Sequence, residues 1–220
     1  MLNGILIGCG GIGRHHLRVM RSFQDVRLLG VVDPRPLQED SVRLWADLDH
    51  ALQELSDFGE SVDFAVVATP VETHFELARR LLSAGVHTLL EKPLGATSKE
   101  ARLLEGLARD SGKVLLVGHS ERFNPAYQVF LQQFQQGITG PVYRIEMNRS
   151  GPYPQNPPTA GAAIDLAVHD LEILTRIMHF SRPRWIFACN EQRIHAVYED
   201  GVNAMLGYAP DGLVQLTVNW

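Results

Sequence analysis

Short apolar runs recur through the first half of the chain, at Gly4–Ile7, Leu28–Val32, Phe64–Ala68, Val86–Leu90 and Val114–Val117. They are nearly continuous rather than alternating, the pattern required of strands covered by helices on both faces. Helix-length stretches lie between most of them. Leu17 and Met20 share one side of a helix after the first run, and further helices are predicted around Leu48–Leu55, Thr73–Ala84 and Ser98–Ser111. The last of these opens with Thr97-Ser98-Lys99-Glu100, whose threonine and glutamate have the spacing of a capping box. Strands alternating with helices predict an α/β domain, built on a doubly wound parallel sheet, over residues 1–118.

Near His119 the pattern changes. Asn124-Pro125 predicts a helix start running to about Gln136, stopped by Gly137 and Gly140-Pro141, and Val142–Asn148 then alternates as a strand does. Ser150–Gly161 is a proline-rich loop, longer than a simple connection and of the kind used as lids or binding loops. Ala162–Met178 returns to helical periodicity. Strand-like runs follow at Trp185–Cys189, Ile194–Tyr198, Ala204–Tyr208 and Leu213–Val218, with turn signals at Glu199-Asp200-Gly201 and Pro210-Asp211-Gly212. Residues 119–220 therefore predict an α+β domain whose largely antiparallel sheet has helices on one face. The other face is expected to expose apolar side chains, among them Trp185, Phe187 and Leu206, and so to make the protein a homo-oligomer, a dimer or tetramer.

Composition narrows the partners. The 220 residues exceed one typical domain, and 45% hydrophobic with 20% charged residues is ordinary for a globular protein. A net charge of −5, with no lysine/arginine block, offers no attraction to nucleic acid or an anionic membrane surface. No segment is long enough to span a bilayer. The first apolar run lacks a basic flank and a cleavage site, so it reads as a strand and not a signal peptide. Cys9 and Cys189 lie far apart without C-x-x-C spacing, which points away from disulfides and zinc and toward a reducing cytoplasm. His15 and His16 are adjacent and point different ways on a helix, with no carboxylate cluster beside them, so no metal is expected.

The candidate chemistry begins where the first run meets Gly8-Cys9-Gly10-Gly11-Ile12-Gly13. Gly8 permits a tight turn, Gly10 lets backbone approach a pyrophosphate, and Gly13 lets the following helix pack against its strand. The first turn, with Gly11 and Ile12, offers unpaired N–H groups and the positive end of the helix dipole to phosphate. Asp33 ends the second run twenty residues after Gly13, where a carboxylate accepts from the adenosine ribose hydroxyls. That favours NAD over NADP. Arg35 offsets part of the repulsion toward a 2′-phosphate, which keeps NADP possible.

Three further clusters follow. Ala68-Thr69-Pro70 with Thr73-His74 sits at the carboxyl edge of the sheet, where such sheets meet their ligands. Glu91-Lys92-Pro93 ends the next strand, and a half-desolvated lysine there can exchange a proton with a substrate hydroxyl. In Asp165-Leu166-Ala167-Val168-His169-Asp170, a spacing of four puts Asp165 and His169 on one helix face, where a carboxylate can orient an imidazole. Each has a plain structural alternative: a strand-to-helix turn, a solvated lysine and a helix-face contact.

Together and in this order, these motifs resemble the Gfo/Idh/MocA family of NAD(P)-dependent sugar oxidoreductases over essentially the whole chain. Val117-Gly118-His119-Ser120-Glu121-Arg122-Phe123-Asn124-Pro125-Ala126 and the Asp165–Asp170 stretch are similar to its UDP-N-acetylglucosamine 3-dehydrogenase branch. The resemblance implies an N-terminal Rossmann domain followed by a substrate and oligomerisation domain. It further implies oxidation of the 3-hydroxyl of a UDP-N-acetylhexosamine, with hydride passing to nicotinamide. Lys92 would accept or donate the hydroxyl proton, His169 would share that role or position the sugar, and Asp165 would orient His169, from the two domains across a shared cleft. Thr69, Pro70, His74, Glu91 and Lys92 would line the cofactor, Arg122 and Asn124 the cofactor or nucleotide-sugar cleft as substrate residues, and Tyr153 the sugar nucleotide. Two alternatives stand beside this reading: a dehydrogenase of a free sugar, polyol or inositol, and a dinucleotide-binding sensor or subunit without turnover. The loop Pro152–Pro158 lacks the charged residues associated with that branch. Family members continue with more strands and a terminal helix, so the second domain is expected to be incomplete at Trp220.

Overall fold

The structure, a computed structural model, describes residues 1–37, 42–154, 160–210 and 212–220. It divides into two compact units, Met1–Gly118 and His119–Trp220.

The first unit runs β1 (Leu2–Ile7), α1 (Gly11–Ser22), β2 (Val26–Val32), β3 (Leu44–Trp45), α2 (Leu48–Asp57), β4 (Phe64–Val67), α3 (Val71–Ser83), β5 (His87–Leu90), α4 (Ser98–Ser111) and β6 (Leu115–Val117). Its strands form one parallel sheet in the order β3-β2-β1-β4-β5-β6. The apolar runs are continuous because both faces are covered. Ile5, Ile7, Ala65 and Val67 pack with Leu48, Ala51 and Leu55 of α2, Leu81 and Leu82 of α3 and Leu104 of α4. The residues between them, Leu6 and Val66, pack with Leu17 and Met20 of α1. Each such side chain removed from water contributes roughly 1.5–3 kcal/mol. The box predicted at the start of α4 is present: Thr97 Oγ1 accepts from Glu100 N–H and the Glu100 carboxylate accepts from Thr97 N–H, both at 3.2 Å. β3 was not anticipated, since two residues leave no periodic signal. It lays Trp45 over Gly30, where any Cβ would stand 2.2 Å from the ring.

Strand order reverses between β1 and β4, and crevices outside the carboxyl ends at such a reversal are where open α/β sheets bind ligands. The ends of β1, β2, β4 and β5 carry Gly8–Gly13, Asp33, Thr69-Pro70 and Glu91-Lys92 respectively.

The second unit begins with a 3-10 turn, Ser120–Phe123, and continues α5 (Pro125–Gln135), β7 (Arg144–Ser150), a π-helical turn at Ala163–Ala167, α6 (Val168–Ile177), β8 (Trp185–Glu191), β9 (Gly201–Tyr208) and β10 (Gly212–Asn219). Its sheet has the order β7-β10-β9-β8. β8, β9 and β10 pair antiparallel as expected, whereas β7 runs parallel to β10, so the sheet is mixed. One face is covered: Leu206, Val214, Leu216 and Val218 pack with Ala167 and Leu174.

Three expectations change here. Ile194–Tyr198 forms no strand. The Asp200 carboxylate accepts from the backbone N–H groups of Arg193, Ile194 and His195, and His195 Nδ1 accepts from those of Val197 and Tyr198, so these donors are spent in a side-chain-organised turn. Leu206 is buried, and the register instead places Met205 opposite Phe187, with Trp185 opposite Gly207 on that same open face. The stretch Ala162–Met178 is not one regular helix, because its first turn is wound as π, a form frequent at functional sites. Of the proline-rich loop, Gln155, Asn156, Pro157 and Pro158 lie outside the described residues, as does Asp211 of the last turn signal.

Candidate functional site

The three glycines of the first turn have different surroundings. Gly8 has φ +85°, and an added Cβ would stand 2.5 Å from the Ala68 carbonyl oxygen; at Gly13 it would stand 2.1 Å from that of Gly8. These two glycines are required by the protein's own packing. At Gly10 the nearest atom would be Arg35 Nη2 at 3.9 Å, and at Gly11 nothing lies within 4 Å. Protein packing does not demand the bare backbone there, and a close-approaching ligand would. Gly10 caps α1 without a side-chain bond, and the first turn carries no acid, so its N–H groups and dipole favour an anion.

Asp33 is 2% exposed at the end of β2. Oδ2 accepts from Cys9 N–H at 2.8 Å and Oδ1 from Arg35 N–H at 3.0 Å, while the Arg35 guanidinium reaches both oxygens at 3.1 and 3.2 Å. Burial pushes this carboxyl up, but the Arg35 side chain and the two backbone donors hold it below the usual aspartate value. It is therefore a fixed carboxylate. Ribose hydroxyls would share it with Arg35 or displace the exposed guanidinium.

Thr69 and Pro70 lead into α3, where Thr73 Oγ1 bonds Thr69 Oγ1 and the Pro70 carbonyl, each at 2.7 Å. His74 is 1% exposed, with ring nitrogens 2.8 Å from the Pro93 carbonyl oxygen and 2.9 Å from that of Thr69. Glu91 and Lys92 are half-buried at the end of β5. His16 Nε2, from α1, lies 2.8 Å from Glu91 Oε1, and Lys92 N–H donates to Glu91 Oε2 at 3.2 Å. Burial raises the Glu91 carboxyl, but the bonds to His16 and Lys92 N–H bring it below the usual range. Sequence reasoning set His16 aside as half of an inert histidine pair, since nothing local announces a partner 75 residues away.

In the second unit, Asp165 stands in the π turn and His169 in the first turn of α6, both half-buried. Asp170 is buried and paired with Arg149 of β7 at 2.7 Å. Arg122 donates to Glu172 Oε1 at 2.9 and 3.2 Å, and Arg176 donates to the same oxygen at 2.7 Å. Burial raises the Glu172 carboxyl, and the two guanidinium groups outweigh it. Asn124 is the N-cap of α5, its Oδ1 accepting from Ala126 N–H at 3.0 Å. Tyr153 meets the Trp220 ring edge-on, with centroids 5.9 Å apart. Arg122, Asn124 and Tyr153 thus each have a structural engagement of their own. Among the described residues no group of three or more His, Cys, Asp or Glu side chains is placed to hold a metal, and no helix is long and apolar enough to cross a membrane.

The model of the oxidoreductase family described as having an NAD-binding Rossmann fold, Gfo/Idh/MocA, matches residues 2–119. The chain belongs to the Gfo/Idh/MocA family. Among its Gfo/Idh/MocA relatives, UDP-N-acetylglucosamine 3-dehydrogenase of Acidithiobacillus ferrooxidans is 32% identical over 169 residues, 76% of this chain and 51% of that enzyme. Inositol 2-dehydrogenase of Rhizobium meliloti is 25% identical over 174 residues, 76% of this chain and 52% of that enzyme. The chain spans about half the length of these curated relatives. Among solved structures, GenD2 from gentamicin A biosynthesis in complex with NAD superposes with a TM-score of 0.87 at 27% identity, covering 100% of this chain and 66% of that one. The uncapped α1, the open Gly10-Gly11 backbone and the fixed Asp33 carboxylate fit the NAD that this Gfo/Idh/MocA family binds.

Proposed function

We propose that this protein is an NAD-dependent dehydrogenase of a sugar hydroxyl, with the 3-hydroxyl of a UDP-N-acetylhexosamine as its substrate. The observation that carries the reading is one sheet edge at which an uncapped helix start, a buried carboxylate and a half-buried lysine follow β1, β2 and β5. The choice of a nucleotide sugar is supported by the 32% identity to a UDP-N-acetylglucosamine 3-dehydrogenase.

Gly10, Gly11 and Ile12 present backbone N–H groups to the pyrophosphate, and Asp33 accepts from the adenosine ribose, favouring NAD. Thr69 and Pro70 shape the wall of the same crevice. When bound, NAD supplies the acceptor for the hydride that leaves the carbinol carbon. Lys92 takes the hydroxyl proton as the general base of the reaction. His169, oriented by Asp165, positions the sugar or shares the proton, and Arg122, Asn124 and Tyr153 belong to the sugar-nucleotide side.

A second reading, a free polyol or inositol as substrate, is supported by the match to inositol 2-dehydrogenase. Incubating the protein with NAD and a panel of UDP-sugars, free sugars and inositols, following nicotinamide reduction and identifying the ketone, decides between them. Reduction with UDP-N-acetylglucosamine alone supports the first reading, and reduction with inositol alone supports the second. NADH binding without turnover on any member would leave a sensor or subunit.

The open face of the second unit's sheet carries Trp185, Phe187 and Met205, 50%, 68% and 40% exposed, and we assign it to contact with a second copy. Phe187→Asp is expected to shift light-scattering mass toward the monomer, and an unchanged mass would sink the assignment. The compartment assigned to the protein is a reducing cytoplasm.

A further inference from the structure

Lys92 stands between two residues that are each held by a histidine from a different helix. On its N-terminal side, Glu91 Oε1 is bonded to His16 Nε2 of α1 at 2.8 Å, and Oε2 accepts the Lys92 N–H itself at 3.2 Å. The same carboxylate closes against Gly118, where a Cβ would stand 2.9 Å from Oε1. On the C-terminal side, the Pro93 carbonyl faces His74 Nδ1 of α3 at 2.8 Å, while Nε2 of that ring faces the Thr69 carbonyl at 2.9 Å. Burial of the ring, 1% exposed, together with the engagement of both nitrogens, leaves His74 no polar atom to offer a dinucleotide.

Resting on the reading of Lys92 as the proton-transfer group, we propose that His16 and His74 are positioning residues for Lys92. Each acts through the backbone beside it: His16 through Glu91, and His74 by tying the Thr69 turn to the Pro93 carbonyl. A lysine side chain has four rotatable carbons, so the placement of its amine depends on a fixed starting point. A displacement of about 1 Å at a reacting group can cost on the order of a hundredfold in rate. Glu91 suits the task because its carboxylate stays charged: burial raises it, and the His16 bond and the Lys92 N–H outweigh that rise. A charge-assisted bond to a backbone N–H is among the stronger ones a side chain can offer.

The variants are His16→Ala, His16→Gln, His74→Ala and Gly118→Ala, compared with Lys92→Met. Three quantities are read on the purified protein: hydrogen exchange of the Lys92 amide, NADH affinity by fluorescence, and turnover of UDP-N-acetylglucosamine with NAD. Exchange of the Lys92 amide is expected to speed up about tenfold in His16→Ala and Gly118→Ala, the loss of one bond to a charged acceptor. NADH affinity should stay within about twofold while kcat falls about ten- to hundredfold in His16→Ala and His74→Ala. In His16→Gln, whose amide can still donate to Glu91, both exchange and kcat should recover. Unchanged Lys92 exchange in His16→Ala overturns the inference with no substrate needed. So does loss of NADH binding in step with kcat, or a glutamine variant no better than alanine. Normal turnover in Lys92→Met removes the reading of Lys92 and the inference with it. A dead Lys92→Met beside normal His16→Ala and His74→Ala overturns the inference alone.

Discussion

Asp33 and Glu91 of the first unit and Asp170 and Glu172 of the second are enclosed carboxylates with different principal donors. In the first, Asp33 and Glu91 accept from backbone N–H groups of Cys9, Arg35 and Lys92, so each carboxylate fixes the course of a loop at the sheet edge. In the second, Asp170 and Glu172 accept from the side chains of Arg149, Arg122 and Arg176, so each ties separate elements together. A carboxylate bonded to backbone fixes the local course of the chain, at the sheet edge for Asp33 and Glu91 and in a turn of the second unit for Asp200. One bonded to guanidinium groups is consumed in holding the fold. Asp33 also takes the Arg35 guanidinium, and Asp200 of the second unit takes three backbone N–H groups, so neither charge nor donor type alone separates a binding edge from a scaffold.

The sharpest way to break this contrast is to remove the groups assigned to chemistry from both units. Lys92→Met and His169→Ala are expected to lower turnover by roughly two to four orders of magnitude, the range for a lost general acid–base group. NADH affinity should remain within a few-fold, and Asp165→Asn should cost less than His169→Ala. Stopped-flow or steady-state nicotinamide absorbance checks all three, and loss of NADH binding in Lys92→Met would make that lysine a cofactor ligand instead.

Glu172→Ala tests the scaffold side. It leaves two part-buried guanidinium groups without their acceptor, a loss of about 1.5–3 kcal/mol, the worth of a hydrogen bond to a charged group. Chemical denaturation should show that loss in the second unit while NADH affinity of the protein at low denaturant stays unchanged. A stable Glu172→Ala variant would mean the arginines find other partners.

Asp33→Asn should do the reverse. Its effect on stability is expected to be small beside an NAD affinity reduced about ten- to hundredfold, the worth of hydrogen bonds to a charged acceptor. The preference over NADP should narrow, because Arg35 remains to meet a 2′-phosphate. Equal affinities for both cofactors in the unaltered protein, by titration, would contradict the role given to Asp33.

The smallest effect is one of pH. Asp33, Glu91 and Glu172 are all held below their ordinary values, so each stabilises the fold fully above the unfolded-state values of about 3.9 and 4.3. That contribution is lost as pH falls below the unfolded-state values and through the depressed folded-state ones. The denaturation midpoint should therefore be flat near neutrality with respect to these groups and decline on acidification, more gently in Asp33→Asn.

Much of the first unit is legible because its signals are local. A continuous apolar run of four or five residues, a capping box and a glycine turn each declare themselves within a few positions, and the strands and helices lie close to where those signals fall. What was not legible depends on distant partners. His16 finds Glu91 75 residues on, and Arg122 finds Glu172 50 residues on. Ile194–Tyr198 has the composition of a strand, and only the Asp200 carboxylate captures the donors that a ladder would need. Leu206 and Met205 are equally apolar, so one residue of register decides which of them is covered.

The parallel partnership of β7 and β10 sets an order of assembly. β8, β9 and β10 follow one another in sequence, and the last two form a tight hairpin in which Gly212 pairs with Tyr208. Arg144 of β7 instead lies beside Gln215 across 71 residues, so its docking must wait for a large loop to close. The meander is the seed of this sheet and β7 its latecomer. Pulse-labelled exchange during refolding should find the amides of β9 and β10 protected before those of Arg144–Ser150.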